Sequence, residues 1–299
     1  MKMIFKKMSV GLVLVGVAML AGCSLGVNES TSYSIPNWTA DGRIIARKVY
    51  LKTEHTLVSN SEIRAYQNSI VVMDDNGGHE QKLFDVDENG ISLVEMSPSG
   101  NYVGYINSMS LLKVFKNEGG RWNLKWTKTV DRFTDVVKFS PDEMKVYLSL
   151  GHSRFWVLLI DGTQLWFQSI GGGGGFKTNS EIIFNQTNTE IGKTSVFNLG
   201  NGSLTEVGKG FAFSQYIVSE NSVLYQGGSV STDYIEKLNL NTQTVSTVNF
   251  TYTPYKYEDF VGRHLSPDGK KIVMSANGLA GGVGIYILDI NTSQLGAIK

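Results

Sequence analysis

From Trp38 onward the chain alternates between short runs of apolar residues spaced two apart and clusters rich in Gly, Asn, Asp and Ser. A period of two predicts strands, and the clusters predict tight turns. One arrangement recurs: an apolar run, a turn of the Ser-Pro-Asp-Gly kind, and a second alternating run. It reads WTADGRIIA (Trp38 to Ala46), MSPSGNYVGY (Met96 to Tyr105), FSPDEMKVYL (Phe139 to Leu148) and LSPDGKKIVM (Leu265 to Met274). Fainter copies are FKTNSEIIF (Phe176 to Phe184) and IVSENSVLY (Ile217 to Tyr225). In such a turn Ser or Asp bonds its own downstream backbone, Pro presets φ, and Gly accepts the left-handed conformation. The repeat is therefore read as a folding device.

Each copy continues with a third and a fourth strand. The clearest third strands are SIVVMDD (Ser69 to Asp75), FWVLLID (Phe155 to Asp161), DYIEKLNL (Asp233 to Leu240) and VGIYILDI (Val283 to Ile290). They end in residues such as Asp75-Asn76-Gly77-Gly78 and Asp161-Gly162, which signal hairpins into fourth strands such as QKLFDV, LKWTKTV and QLWFQSI. Four antiparallel strands repeated roughly every 45 residues predict an all-β fold, a six-bladed β-propeller. The Ser-Pro-Asp-Gly turns and the IVVMDDNGGHEQKLF segment (Ile70 to Phe84) closely resemble the repeats of TolB-like six-bladed propellers. The resemblance is specific in three or four blades and faint in the fourth and fifth. It implies protein binding in a cell envelope. TolB itself works in the periplasm with a translocation system, but it carries an additional N-terminal domain, so that role is not carried over.

The first residues follow another logic. Lys2, Lys6 and Lys7 precede an apolar run from Met8 to Leu20, too short to span a bilayer as a mature helix. This is the pattern of a secretory signal. Its end, Leu20-Ala21-Gly22-Cys23, resembles the lipobox of bacterial lipoproteins. That resemblance implies cleavage after residue 22 and acylation of Cys23, anchoring the protein to a membrane. Ser24 at the next place implies sorting to the outer membrane, with the protein facing the periplasm. Cys23 is the sole cysteine, so no disulfide partner competes for it. The expected organisation is residues 1–22 as signal peptide, 23–36 as lipidated Cys and flexible tether, and 37–299 as propeller. The tether expectation rests on the small polar residues from Ser24 to Pro36.

Composition narrows the partners. Lys+Arg and Asp+Glu are equal at 27, so no basic surplus favours nucleic acid. Antiparallel geometry places the Ser-Pro-Asp-Gly turns on one face of the disc and the longer loops on the other, where binding is expected. These loops are 50–68, 185–193, 227–233, 251–260 and 275–284. In the fourth of them Tyr252, Tyr255 and Tyr257 stand beside Glu258 and Asp259. Tyrosines there suit a protein or glycan contact, and equally suit capping the ends of neighbouring blades.

Other motifs carry less. GGGGGFKT (Gly171 to Thr178) has Phe176 where a phosphate loop needs Gly, and a strand follows in place of a helix; a flexible connection between blades is expected. DVDENG (Asp85 to Gly90) opens like a calcium loop, but Met96 stands at the twelfth position. His55, His79, His152 and His264 lack metal-ligand spacing, although His264, beside Arg263, is placed to face the central channel. No metal, cofactor or catalytic residue is assigned. Two readings follow: a lipid-anchored envelope module that binds or scaffolds another protein, or a glycan-binding or glycan-active propeller, a lyase or hydrolase, with its site at the channel mouth.

Overall fold

The computed structural model describes residues 24–56, 62–88, 90–151, 153–186, 193–209, 214–217, 221–229, 232–250, 259–277, 283–292 and 294–299. Blade 1 contains β1 (Ser24–Trp38), β2 (Ile44–Thr56), β3 (Glu62–Met73) and β4 (Gln81–Asp85). Blade 2 contains β5 (Ile91–Met96), β6 (Tyr102–Asn107), β7 (Leu111–Glu118) and β8 (Arg121–Thr129). Blade 3 contains β9 (Thr134–Phe139), β10 (Lys145–Leu150), β11 (Arg154–Leu159) and β12 (Gln164–Gln168), and blade 4 β13 (Gly171–Phe176), β14 (Glu181–Gln186), β15 (Lys193–Asn198) and β16 (Leu204–Lys209). Blade 5 contains β17 (Ser214–Ile217), β18 (Ser222–Ser229), β19 (Thr232–Asn239) and β20 (Val245–Phe250), and blade 6 β21 (Asp259–Leu265), β22 (Lys271–Asn277), β23 (Val283–Asp289) and β24 (Gln294–Ala297). Each blade is one antiparallel sheet with its strands in sequence order, so the six-bladed propeller is present as expected.

Strand alternation explains the core. Along β2, Ile44 and Ala46 point into the junction with blade 6, while Ile45 points into the junction with blade 2. Blade 3 works the same way: Val146 and Leu148 pack toward blade 2, and Tyr147 toward Phe155, Phe176 and Phe184 of the junction with blade 4. Both faces of a middle strand are thus buried, which is why these strands read as nearly continuous apolar runs.

The Ser-Pro-Asp-Gly turns fold as their chemistry requires. Ser140 Oγ donates to Asp142 at 2.5 Å and accepts from Lys145 N–H at 2.9 Å. Ser266 repeats this with Asp268 at 2.6 Å and Lys271 N–H at 2.9 Å. Blade 3 replaces the glycine by Glu143, which adopts φ 58°. Its carboxylate accepts Ser99 N–H of the blade 2 turn at 2.6 Å, and Asp142 N–H donates to Asn179 in the blade 4 turn at 2.8 Å. Burial raises the Glu143 pKa, but bonds from Ser99, Ser97 and Asn101 outweigh it and hold the carboxyl below its ordinary value. The turns of blades 2, 3 and 4 are therefore stitched to one another.

Two expectations change. The segment Ser24–Pro36, expected as a tether, is hydrogen-bonded to β2 from Ser24↔Thr56 to Trp38↔Ile44, so it belongs to the innermost strand of blade 1. Its alternation is polar on both faces, which hid a strand that is stabilised by pairing more than by burial. GGGGG, expected as a connection, is the buried inner strand β13. A Cβ at Gly171 would lie 2.0 Å from Asn185 O, and one at Gly174 (φ +71°) 1.9 Å from Ile183 O. Backbone approaches backbone there too closely for a side chain. Gly174→Ala should therefore cost about 2–5 kcal/mol through left-handed strain plus overlap. Gly119→Ala, also left-handed but facing open space, should cost only about 1–2 kcal/mol. Urea midpoints at constant m-value check the difference.

Candidate functional site in the channel and on the loop face

The six inner strands place one residue each on a common rung, which in blades 2, 3 and 6 lies two positions before the turn serine. Asn37, Glu95, Lys138, Gly175, Tyr216 and His264 pair with Ile45, Gly104, Tyr147, Ile183, Val223 and Val273 of their second strands. Lys138 Nζ lies 3.0 Å from each oxygen of Glu95. Asn37 Nδ2 donates to Glu95 Oε2 and, at 3.1 Å, to Val94 O. Trp38 Nε1 reaches the carbonyl of His264 at 2.9 Å. Blades 1, 2, 3 and 6 are thereby joined at the channel.

The electrostatics follow from burial. Glu95 is 6% exposed. Burial pushes its carboxyl above the ordinary range, against the pull of Lys138 and Asn37. His264 is pushed down to about 3, first by burial and then by the positive charge of Lys138. The rung thus holds Glu95 and Lys138 in contact and, at neutral pH, an uncharged imidazole. The glycines of β13 leave the wall beside Lys138 without side chains; a Cβ on Gly175 would meet Lys138 Cγ at 3.3 Å. Among the described residues no group of three His, Cys, Asp or Glu side chains is placed to hold a metal.

The opposite face from the stitched turns, the loop face, presents different chemistry. Met109, in the β6–β7 loop, is 65% exposed, and Phe133, between blades 2 and 3, is 58% exposed. Val130 N–H donates to Ser110 O at 2.8 Å, tying these two segments into one corner. Arg132 stacks 4.6 Å from the Phe133 ring centroid, and Arg154 pairs with Asp131 at 2.7 Å.

The residues singled out in the sequence fare unevenly. Cys23, Tyr252, Tyr255, Tyr257 and Glu258 lie outside the described residues, as does His152; Asp259 opens β21 opposite Asn277. His55 bonds Asn28 at 3.0 Å and His79 bonds Asp74 at 2.6 Å, both apart from the channel. In the DVDENG segment, Asp85 pairs with Lys82 at 2.9 Å, and Glu88 is taken by Lys113 and Tyr105. Glu95, Lys138 and Asn37 were not picked out from sequence. A signal existed: the column two places before each turn serine is polar in four of the six copies.

Fold and rung define the class, a six-bladed β-propeller of four-stranded blades with a polar channel. No protein-family model matches the chain, and no curated protein matches it in sequence. Solved structures do. The TolB of Acinetobacter baumannii superposes with a TM-score of 0.56 at 11% identity, covering 89% of this chain and 78% of that one. A protein assigned as TolB from Agrobacterium tumefaciens gives 0.54 at 14% identity, over 77% of this chain and 88% of that one. An oligogalacturonate lyase in complex with manganese gives 0.51 at 11% identity, over 88% and 90%. At such identities the likeness establishes the TolB-like propeller fold.

Two outcomes test the rung. Lys138→Met leaves Glu95 buried without its cation and should cost about 3–5 kcal/mol at pH 7, most of it restored by adding Glu95→Gln. As pH falls, the unfolded chain protonates His264 near 6.5 and the folded chain only near 3, so stability is lost across that interval by up to ~1.4 kcal/mol per pH unit. Glu95, whose folded pKa is raised, acts in the opposite sense as it takes up its proton. His264→Gln should therefore flatten the acid loss of stability between pH 6 and 4, measured by chemical denaturation at each pH.

Proposed function

We propose that this protein is a lipid-anchored propeller of the cell envelope that binds or scaffolds another envelope protein through its loop face. The observation that carries this reading is the Met109–Arg132–Phe133 corner. Exposed Met and aromatic side chains beside Arg are the composition of protein-binding hot spots. The channel supports the same reading by a different route: Glu95 is engaged by Lys138 and Asn37, and His264 stays neutral. The lipobox-like Leu20-Ala21-Gly22-Cys23 places the anchor, with residues 1–22 removed and acyl chains on Cys23. Ser24 favours the outer membrane, on the periplasmic side. Tyr252, Tyr255, Tyr257 and Glu258, with Asp259 at the start of β21, would extend the binding face.

Photo-crosslinking in cells tests the surface. Crosslinkers at Met109 or Phe133 should trap one discrete protein, whereas one at Met144, exposed on the turn face, should not. Phe133→Asp should lower capture about tenfold. If the loop-face positions stay silent while the purified protein cleaves or retains a glycan, the channel-mouth reading replaces this one. Cys23→Ala should move the protein from the membrane to the soluble fraction; unchanged membrane retention would remove the anchor from the proposal.

A further inference from the structure

The hairpins that join third to fourth strands in blades 3, 4 and 5 correspond position by position. Ile160 N–H donates to Met144 O, Leu199 N–H to Ser180 O and Leu240 N–H to Asn221 O, each reaching the turn of its own blade. Further along, Gly162, Gly202 and Gln243 donate their N–H groups back to Leu159, Asn198 and Asn239. All three have left-handed backbone, at φ 89°, 70° and 57°. What packs on these hairpins differs. The Trp126 ring of blade 2 lies over Gly162 and its indole N–H reaches Ile160 O at 2.7 Å. The Trp166 ring of blade 3 lies over Gly202 and reaches Leu199 O at 3.1 Å. Blade 4 sends no indole to the blade 5 hairpin, because β16, Leu-Thr-Glu-Val-Gly-Lys, holds no aromatic residue.

A cleft of about 680 Å³ stands at that place, with Val207 and Gly208 on one side and Asn221, Leu240 and Gln243 on the other. Small-molecule sites span about 300–1,000 Å³. Gln243 does part of an indole's work. Its Nε2 donates to Leu240 O, the counterpart of the carbonyls that the two indoles reach, and to Val207 O across the junction, both at 2.9 Å. It does so from left-handed backbone where the other two hairpins have glycine, and a non-glycine held there marks a constraint beyond the turn itself. The Leu240 carbonyl keeps a second lone pair for another N–H. Gly208 keeps the floor low, since a Cβ there would meet Leu238 Cδ2 at 2.5 Å and Gln243 Oε1 at 3.7 Å. The charged residues at the mouth are paired within blade 4, Lys177 with Glu181 at 3.2 Å and Glu206 with Lys193 at 2.6 Å. A neutral guest is therefore favoured over an ion.

We propose that this cleft binds a neutral, planar aromatic ring carrying an N–H, with indole as the type, supplied free or as the tryptophan side chain of a peptide. The chain itself performs this recognition twice, with Trp126 on the blade 3 hairpin and Trp166 on the blade 4 hairpin. An aromatic ring with one polar edge matches a place that offers a carbonyl beside apolar Val207, Leu238 and Leu240. The cleft is built from first-to-second-strand turns and third-to-fourth-strand hairpins, so it opens opposite the loop face, and the proposal does not rest on the reading of that face.

Saturation-transfer NMR on the purified protein tests this, with indole and N-acetyltryptophanamide as probes. Their ring protons should be saturated, and N-acetylcyclohexylalaninamide, bulky but not aromatic, should bind several-fold more weakly. Gln243→Gly gives blade 5 the hairpin of blades 3 and 4 and uncovers Leu240 O, so it should tighten binding several-fold. Gly208→Trp supplies a ring from within the chain and should abolish binding; should that variant fail to fold, Gln243→Gly carries the test alone. Equal affinity for indole and the amide supports the site and assigns a free ligand, whereas tighter binding of the amide supports it and assigns a peptide side chain. Absence of saturation for both probes, equal binding of the cyclohexyl compound, or an affinity unmoved by Gln243→Gly would each overturn the proposal.

Discussion

A ring of blades must be shut against its own tendency to open, and here the means is non-covalent. Many closed β architectures remove their edges by pairing first and last strands. In this chain every blade is complete in sequence order, so no strand is shared between blade 6 and blade 1. Closure depends on side chains along β1. Tyr33 and Trp38 pack with Val273, Ile285 and Ile287 of blade 6, and the Trp38 indole also bonds the His264 carbonyl. Outside them, Lys271 reaches Asp75 at 2.5 Å and Lys299 reaches Glu80 at 3.6 Å.

The closing junction copies the other junctions in one further respect. Trp126 of blade 2 lies on Gly162 of the blade 3 hairpin and bonds Ile160 O at 2.7 Å; Trp166 of blade 3 lies on Gly202 of blade 4 and bonds Leu199 O at 3.1 Å. At the seam the end of the chain does this work: Ile298 O sits over Gly77 of the blade 1 hairpin, where a Cβ would come within 2.4 Å. The last two residues are thus structural. The channel rung adds an inner tie, since Asn37, Glu95 and Lys138 bind three successive blades where their inner strands converge.

How much of this the sequence disclosed depended on whether a feature repeats. Turns such as Ser266-Pro267-Asp268-Gly269 recur because every blade needs one, and recurrence exposed the blade count and the faces. Fourth strands such as Arg121–Thr129 were legible through the hairpin glycines before them. Features that occur once were not. The first half of β1 carries Asn28, Glu29, Ser30 and Thr31 in place of an apolar stripe, because it is held by backbone pairing with β2 and by polar contacts to His55 and Lys52. Gly171–Gly175 of β13 have no side chains to show a period, and at Gly171 and Gly174 the site admits none. Glu95 and Lys138 lie far apart in sequence, and only the ring brings their strands side by side. Closure was open to the same difficulty: the residues up to Pro36 read as a tether, and the place of β1 in the ring depends on a partner at the other end of the chain.

β1 carries two demands that ordinarily fall on separate segments. Its C-terminal half closes the ring; its N-terminal half, Ser24–Ser32, is paired along β2 well past the channel rung. Any pull on the chain at Ser24 would therefore be delivered along β1 to the seam between blades 1 and 6, a junction made by residues from opposite ends of the chain. The pairing of β1 with β2 along its length distributes such a load over many backbone hydrogen bonds before it reaches Trp38. A flexible tether would spare the seam altogether but would also let the disc tumble. The paired strand gives up that protection in exchange for a fixed relation between Ser24 and the disc.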